Sequence, residues 1–572
     1  MKNSFHFKIG GQAGEGIMSS GQIFTKFAAR SGYWTFDFVE YPSLVRGGHN
    51  TFYATVSAEE VFCTGNHVDL LIALNQETVT LHRDELNPGA GVIFDPDSFQ
   101  PESIRGVKFW PVPLLKLAQT AGHRLMANTV ALGAVAYLTG GNLKILKSVL
   151  TDVFASKKKE IIAGNHRAAE LGYEFAKSKF LPLGDFLGAK KSLPRMLIGG
   201  NEAIALGSIA AGVKLASIYP MTPISSILHF LARFEKEAGI IYFQPEDEIA
   251  GISSAIGAAF AGVRSLVATS GGGFALMSES LSLAGITETP LVVIFGQRAG
   301  PATGIPTWTA QEDLLYALTA AQGEYPRILL APGDAEECFY LTAEAFNLAE
   351  TYQTPVVVLV DKFICEAHRT IPRLAFGRVD IKRGKMALSS FSPAANKKSE
   401  REIFPRYRLA DDGISRRGFP REGRIVKVNS DEHNEFGLSE ESIKNRNDQL
   451  EKRMKKTAGL SQLIPAPSLY GPAQAEVTLV GWGSTKGPIL EAIKELKANF
   501  LYLNWLRPFP AQSVSRILAK AKKTLLIENN YQGQLGQWLK MQTGIEIKNK
   551  LLKYDGRQFY PEEIVKKIRS II

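Results

Sequence analysis

Cysteine is scarce. Cys63, Cys338 and Cys365 are the only three in 572 residues, and they lie far apart. They cannot supply the four thiolates that an iron–sulfur cluster normally takes, and they argue against a secreted disulfide framework. The nine histidines form no HxH or HxxxH pair, so no metal site is expected within this chain. No run of about 18 apolar residues occurs, which argues against a transmembrane helix. Residues 1–12 alternate like a strand and lack the apolar core of a signal peptide, so a cytoplasmic location is expected. The net charge is +10, but no helix-turn-helix, zinc or RNA-binding signature accompanies it. A basic surface for an acidic protein partner is therefore at least as good a reading as nucleic acid, and none is expected as a ligand.

The chain does have ample apolar substance. Hydrophobic residues make up 45% and charged residues 21%, which excludes overall disorder. Its length suits roughly three to four domains. Short β-branched runs alternate with longer amphipathic segments, Gly or Pro standing between them. That rhythm predicts α/β domains with mainly parallel sheets. The first block, 1–190, has strand candidates at 5–9, 34–39, 51–56, 70–74 and 92–94, a helix at 17–29 and a charged helix at 157–179. The second, 191–375, has strand candidates at 196–198, 241–243, 265–268, 291–295 and 356–359. Its helices are expected to start near Glu202, Pro223, Glu246, Gly273 and Ala335. The third, 471–572, has strand candidates at 477–480, 500–503 and 524–527. Between them, 376–470 is a basic connector. Residues 376–460 hold 20 Lys+Arg against 13 Asp+Glu, a net of +7. This segment reads either as a solvated connector with one helix near 440–460 or as an arm that docks on a partner subunit.

Several loops carry groups suited to chemistry. Gly10-Gly11-Gln12-Ala13-Gly14-Glu15-Gly16 follows a strand and precedes a helix. Such a turn brings backbone N–H groups to an anion at a helix N-terminus, or it serves tight packing alone. Glycines 11, 14 and 16 do not have the dinucleotide-fingerprint spacing. Residues 41–50, including Arg46-Gly47-Gly48-His49-Asn50, form a polar loop. In the second block, Tyr219-Pro220-Met221-Thr222-Pro223 joins a strand to a helix and places the Thr222 hydroxyl at a sheet's C-terminal edge, where α/β folds bind ligands. Glu246-Asp247-Glu248 opens an Ala- and Gly-rich helix. Acids in a first turn commonly serve the helix dipole, but at a buried edge Glu248 needs a specific partner or function. Thr269-Ser270-Gly271-Gly272-Gly273 repeats the strand–Gly loop–helix pattern. Arg298 ends an apolar strand, where it suits carboxylate or phosphate binding or a plain surface ion pair.

In this order, residues 11–16 with 41–50, Gly200-Asn201-Glu202, 219–223, 246–250, 297–304 with Pro306-Thr307, 430–437 and 481–487 resemble one family. It is the α subunit of the 2-oxoacid:ferredoxin oxidoreductases (the pyruvate/2-oxoglutarate:ferredoxin oxidoreductase family), in the form with a γ domain fused ahead of the α part. The match spans essentially the whole chain. It implies a γ-type α/β domain, a pyrimidine-type thiamine diphosphate domain and a transketolase C-terminal-like domain. The family's glutamate, nine residues before the helix glycine Gly257, falls on Glu248. Its implied role is a hydrogen bond to N1′ of the cofactor's aminopyrimidine, so that the imino tautomer removes the C2 proton. Tyr219 and Pro220 belong to the implied cofactor turn, and Thr222 and Arg298 to the binding of the 2-oxo-carboxylate. Gly11, Gly14, Gly16 and Arg46 are candidates for a coenzyme A or nucleotide loop.

The thiamine enzymes' G-D-G…N signature for diphosphate and Mg²⁺ is missing, as is a cluster's cysteine set. The resemblance assigns Mg²⁺ and a [4Fe-4S] cluster to a β subunit, in a dimer of αβ heterodimers with ferredoxin as acceptor. The implied reaction is oxidative decarboxylation of a 2-oxoacid with coenzyme A to acyl-CoA and CO₂. The 2-oxoacid is 2-oxoglutarate or pyruvate or another aliphatic one. Trp308 stands where many relatives are basic, which favours a smaller or aliphatic 2-oxoacid unless its side chain faces elsewhere. Gly271-Gly272-Gly273 stands where the family often has G-P-G. The alternatives are half of a non-oxidative thiamine enzyme and a non-catalytic nucleotide-binding scaffold.

Overall fold

The computed structural model describes residues 4–44, 47–387, 403–420, 425–494 and 496–572. Among these, three sheets of eight, seven and five strands stack with helices into an α/β molecule. The second and third sheets are mostly parallel. The first is parallel only across Lys108–Pro111, Leu86–Phe94, Val68–Ala73 and Ser4–Gln12, and antiparallel beyond.

One expected strand and two strands not expected from sequence join the sheet of another block. Arg195–Gly199 does not join the seven-stranded sheet that follows it in sequence. It pairs with His368–Pro372, a strand not expected from sequence, and both extend the first sheet through Trp34–Glu40. Trp505–Arg507 of the third block likewise adds to the second sheet beside Ile328–Leu330.

The seven-stranded sheet sets the geometry of the site. Its central strands, Leu291–Gln297 (LVVIFGQ) and Pro355–Asp361 (PVVVLVD), are buried along their whole length. Such continuous apolar runs are what a parallel strand covered by helices on both faces requires. Toward one edge the order is Leu291–Gln297, Ser265–Ser270, Leu215–Ser217, Ile241–Phe243, all mutually parallel. Four neighbouring C-terminal strand ends therefore open onto one rim.

The connector carries the expected helix, at Ile443–Leu463, and although much of its described part is exposed, that helix packs on this chain's own second block. Helix Ile443–Leu463 is polar in sequence yet buries Gln449, Lys452, Arg453 and Lys456. Lys452 and Lys456 reach the two carboxylate oxygens of Glu288 at 2.6 and 2.5 Å. Burial pushes Glu288 up, but Lys452, Lys456 and Arg406 outweigh it and hold the carboxyl well below its usual range. A second buried carboxylate, Glu350, takes Arg264, Arg383 and Arg417 at 2.7, 3.1 and 2.8 Å.

Candidate active site

The four strand ends each deliver a group. After Leu215–Ser217 comes the Tyr219–Pro223 turn, which Asn201 holds by donating from Nδ2 to the Pro223 carbonyl at 2.7 Å and to Ser226 Oγ. After Leu291–Gln297 comes Arg298, whose Nη1 donates to the Thr222 carbonyl at 3.0 Å. Thr222 and Arg298, 76 residues apart, are thus brought together. Burial lowers the Arg298 pKa and the nearby Asp313 partly restores it.

After Ile241–Phe243, helix Glu248–Phe260 begins. Its cap is Asp247, whose Oδ1 accepts from the Ala250 N–H at 2.8 Å. Asp247 therefore serves the helix terminus, while the neighbouring Glu248 turns inward. Glu248 is 4% exposed, and its Oε1 is buried with no hydrogen-bond partner. Strand Ser265–Ser270 runs directly into helix Gly271–Leu276, whose third glycine makes room for Glu248: a Cβ on Gly273 would stand 2.5 Å from Glu248 Oε1. The same helical turn admits a second carboxylate. A Cβ on Gly271 would stand 3.5 Å from Asp313 Oδ2. Burial, then Glu312, raises Asp313 to about 6, against the pull of Arg298. Ser270 Oγ, Gln297 Nε2 and Thr307 Oγ1 are also buried without partners. Such atoms also occur elsewhere among the described residues, but these four, Glu248 Oε1 included, lie on the strand-end side of one sheet. Tyr219 stands at the rim, 36% exposed, with Pro220 half-buried beside it.

Asp313 and Gln297 received no role from sequence. The signal for Asp313 is its place: a Glu312-Asp313 pair immediately ahead of the apolar helix Leu314–Thr319. Trp308 turns toward the third block, close against Gly556, with the Arg557 guanidinium 4.3 Å from its ring centre.

The glycine loop of the first block lies on another sheet. Gly14 and Gly16 hold φ of 93° and 78°, and Gly16 caps helix Ile17–Arg30, which has no acid in its first turn. Glu15 accepts from the Gln12 N–H at 2.6 Å, and its carbonyl accepts from Asn128 Nδ2 at 2.7 Å. Gly11 is needed for close approach, since a Cβ there would run into the Glu15 carboxylate. A cleft of about 630 Å³ opens between Gly14–Gly16 and Leu125–Asn128. Arg46 lies outside the described residues.

Family models match in the order of the blocks. "Pyruvate ferredoxin/flavodoxin oxidoreductase" covers residues 6–175, "Pyruvate flavodoxin/ferredoxin oxidoreductase, thiamine diP-bdg" 206–452, and "Pyruvate:ferredoxin oxidoreductase core domain II" 475–564. The 2-oxoacid:ferredoxin oxidoreductase α subunit of Saccharolobus solfataricus is 31% identical over 99% of this chain and 97% of its own length. The chain belongs to the α subunits of the 2-oxoacid:ferredoxin oxidoreductases. Another similar protein is the 2-oxoglutarate oxidoreductase subunit KorA of Mycobacterium tuberculosis, 30% identical over 99% of this chain and 91% of that one. Among solved structures, the 2-oxoglutarate:ferredoxin oxidoreductase from Magnetococcus marinus, with 2-oxoglutarate, coenzyme A and succinyl-CoA bound, superposes over 100% of both chains. Its TM-score is 0.91 at 32% identity. Within the oxidoreductase family, the orphaned Glu248 oxygen lies inside the segment matched by the thiamine diphosphate-binding model.

Proposed function

We propose that this α subunit works with a β subunit in the thiamine diphosphate-dependent oxidative decarboxylation of a 2-oxoacid. Coenzyme A takes the acyl group, CO₂ leaves and ferredoxin receives the electrons. The observation that carries the reading is Glu248: a buried carboxylate oxygen with no partner, beside a glycine that makes room for it. Leaving such a group unsatisfied costs about 1–3 kcal/mol or more, so the site is shaped for a donor that arrives with a ligand. The cofactor's aminopyrimidine fits this requirement. Glu248 would hold a proton shared with N1′, and Tyr219 and Pro220 would border the ring. Thiamine diphosphate, when bound, supplies the nucleophilic carbon and the electron sink for decarboxylation.

Arg298 and Thr222 would orient the substrate. The Arg298 guanidinium meets the Thr222 carbonyl with Nη1, and its other donors would receive an incoming carboxylate. The Thr222 hydroxyl stands at the same turn. Trp308 is engaged with Gly556 and Arg557, which fits the reading that it faces away from the substrate and removes its argument for a small substrate. A 2-oxoacid such as 2-oxoglutarate is then as acceptable as pyruvate. Coenzyme A would use the cleft lined by Gly14 and Gly16, with Gly11 supporting the turn from behind.

A second chain would complete the site. Tyr219, Phe243, Ile249 and Leu276 are exposed around Glu248. This apolar rim suits cover by a β subunit carrying Mg²⁺ and a [4Fe-4S] cluster, in a cytoplasmic dimer of αβ heterodimers. No helix among the described residues is long and apolar enough to cross a membrane. The test is co-expression with the cysteine-bearing partner chain. The complex should reduce ferredoxin only when both a 2-oxoacid and coenzyme A are present, and each chain alone should be inactive. Turnover by the lone α chain, or turnover that ignores coenzyme A, would refute the proposal.

A further inference from the structure

The glycine-rich first turn of helix Gly271–Leu276 separates two carboxylates. Glu248 packs at Gly273 and Asp313 at Gly271. Asp313 is fixed from behind: its backbone N–H donates to Gln297 Oε1 at 3.0 Å, and Gln297 is fully buried. Its carboxylate receives no hydrogen bond and makes no ion pair among the described residues. Arg298, next along the chain from Gln297, likewise has no carboxylate within ion-pair distance there. The two charges feel each other without closing a bridge. A half-buried cation and a half-buried anion ordinarily pair, because each otherwise bears its desolvation alone. Here the pair stays open on the rim where a substrate carboxylate is expected.

We propose that Asp313 is a second ionisable residue of the substrate site, which takes up one proton when the 2-oxoacid's carboxylate docks on Arg298. The inference rests on the proposed 2-oxoacid reading. Before binding, the Asp313 carboxylate and the Arg298 guanidinium balance each other. An incoming carboxylate adds a second anion to the same cation, and two carboxylates sharing one site cannot both stay ionised cheaply. The proton comes from solvent and forms the O–H of Asp313, and departure of the substrate returns it. The groups acting on Asp313 are Glu312 of its own loop, which disfavours ionisation, and Arg298 of the neighbouring strand end, which favours it. Glu248 lies at the other end of the same glycine turn. Gln534 of the third block faces this segment through neutral bonds to Leu315 N and the Glu312 carbonyl. Burial, then Glu312, raises Asp313 only to about 6, which leaves the free site in its charged form at neutral pH, where uptake is measurable.

The experiment is calorimetry on the complex reconstituted with its partner chain and thiamine diphosphate. Oxamate and oxalylglycine serve as probes, since both keep a carboxylate beside a carbonyl and resist decarboxylation. Titration at pH 7.5 in buffers of different ionisation enthalpy reads protons taken up per probe bound. The expected result is an uptake approaching one and an affinity that falls as pH rises above 6. Asp313→Asn should bring the uptake below about 0.2 and flatten that dependence. Asp313→Glu, which keeps an ionisable group, should retain uptake. Binding of either probe by the wild type without uptake, or with uptake unchanged in Asp313→Asn, overturns the role of Asp313 and leaves the substrate reading intact. If neither probe binds the wild-type complex, the substrate reading fails and this inference falls with it.

Discussion

Glu288 and Glu350, under the connector, are met by two and three cations respectively, whereas Glu248, buried to a similar degree, meets none among the described residues. Both regions bury charge within one domain-sized stretch of chain. Under the connector, the buried charge is closed by contacts between segments as far apart as residues 288 and 452. At the rim it is left open. A closed buried pair adds little net stability, but removing one partner is costly because the other charge remains buried. An open buried carboxylate costs stability outright and persists where a ligand closes it. The contrast separates charges that hold the fold from charges that wait for chemistry.

Substitutions sharpen the contrast, beginning with the largest expected effect. Glu248→Gln should lower turnover of the reconstituted complex by about 10²–10⁴-fold, the range of general acid–base contributions, without lowering thermal stability, since it removes an unpaired buried charge. The decisive measurement is C2-H/D exchange of bound thiamine diphosphate. Exchange equal to wild type would return Glu248 to a structural role. Glu288→Gln should do the reverse. It strands Lys452 and Lys456 and should cost about 3–5 kcal/mol of stability, read by denaturant unfolding, while the surviving folded complex keeps its kcat. Because the Glu288 carboxyl is held below its ordinary range, its contribution is present at neutral pH and is lost as pH falls through and below that range. Acid unfolding should therefore begin at higher pH than in a variant in which Glu288, Lys452 and Lys456 are all replaced by apolar residues.

Arg298→Ala should reduce kcat/KM for the 2-oxoacid by an amount equivalent to about 2–5 kcal/mol, the usual loss when a buried charge loses its partner. An unchanged kcat/KM would mean the carboxylate docks elsewhere. The smallest effect concerns Asp313 and stability alone. Its pKa of about 6 lies above the ordinary 3.8, so the protonated form is favoured by folding. That stabilisation is complete below the ordinary value and is lost as pH rises to about 6. Asp313→Asn should therefore gain about 1–3 kcal/mol relative to wild type above pH 6 and nothing below pH 4. Equal stability of the two proteins across that window would show that burial does not raise this carboxyl.

Much of the molecule was legible from its residues, because the signals were local. Apolar runs of five to seven residues marked the central strands, and the proline-flanked turn at Thr222 and the glycine clusters marked where strands give way to helices. The order of such signals along the chain sufficed to find the family. Local signals could not say which of Asp247 and Glu248 caps the helix and which turns inward, since both lie in the same acidic first turn. Nor could they show that the basic connector folds back on its own chain. Its cations find carboxylates far away in sequence, and Glu288 itself holds a positive φ of 49° that no local preference favours.

The sequence by itself determined the α/β rhythm, the order of the blocks and the residue types on each loop, because hydrophobic period and the backbone limits of Gly and Pro act over a few residues. The tertiary structure alone decided that Arg195–Gly199 and His368–Pro372 complete the first sheet, that Glu288 is closed by Lys452 and Lys456, and that Arg298, Asp313 and Glu248 share one rim. Strand order and charge pairing are settled by contacts between distant segments, whose free energy depends on burial that exists only once the chain has packed.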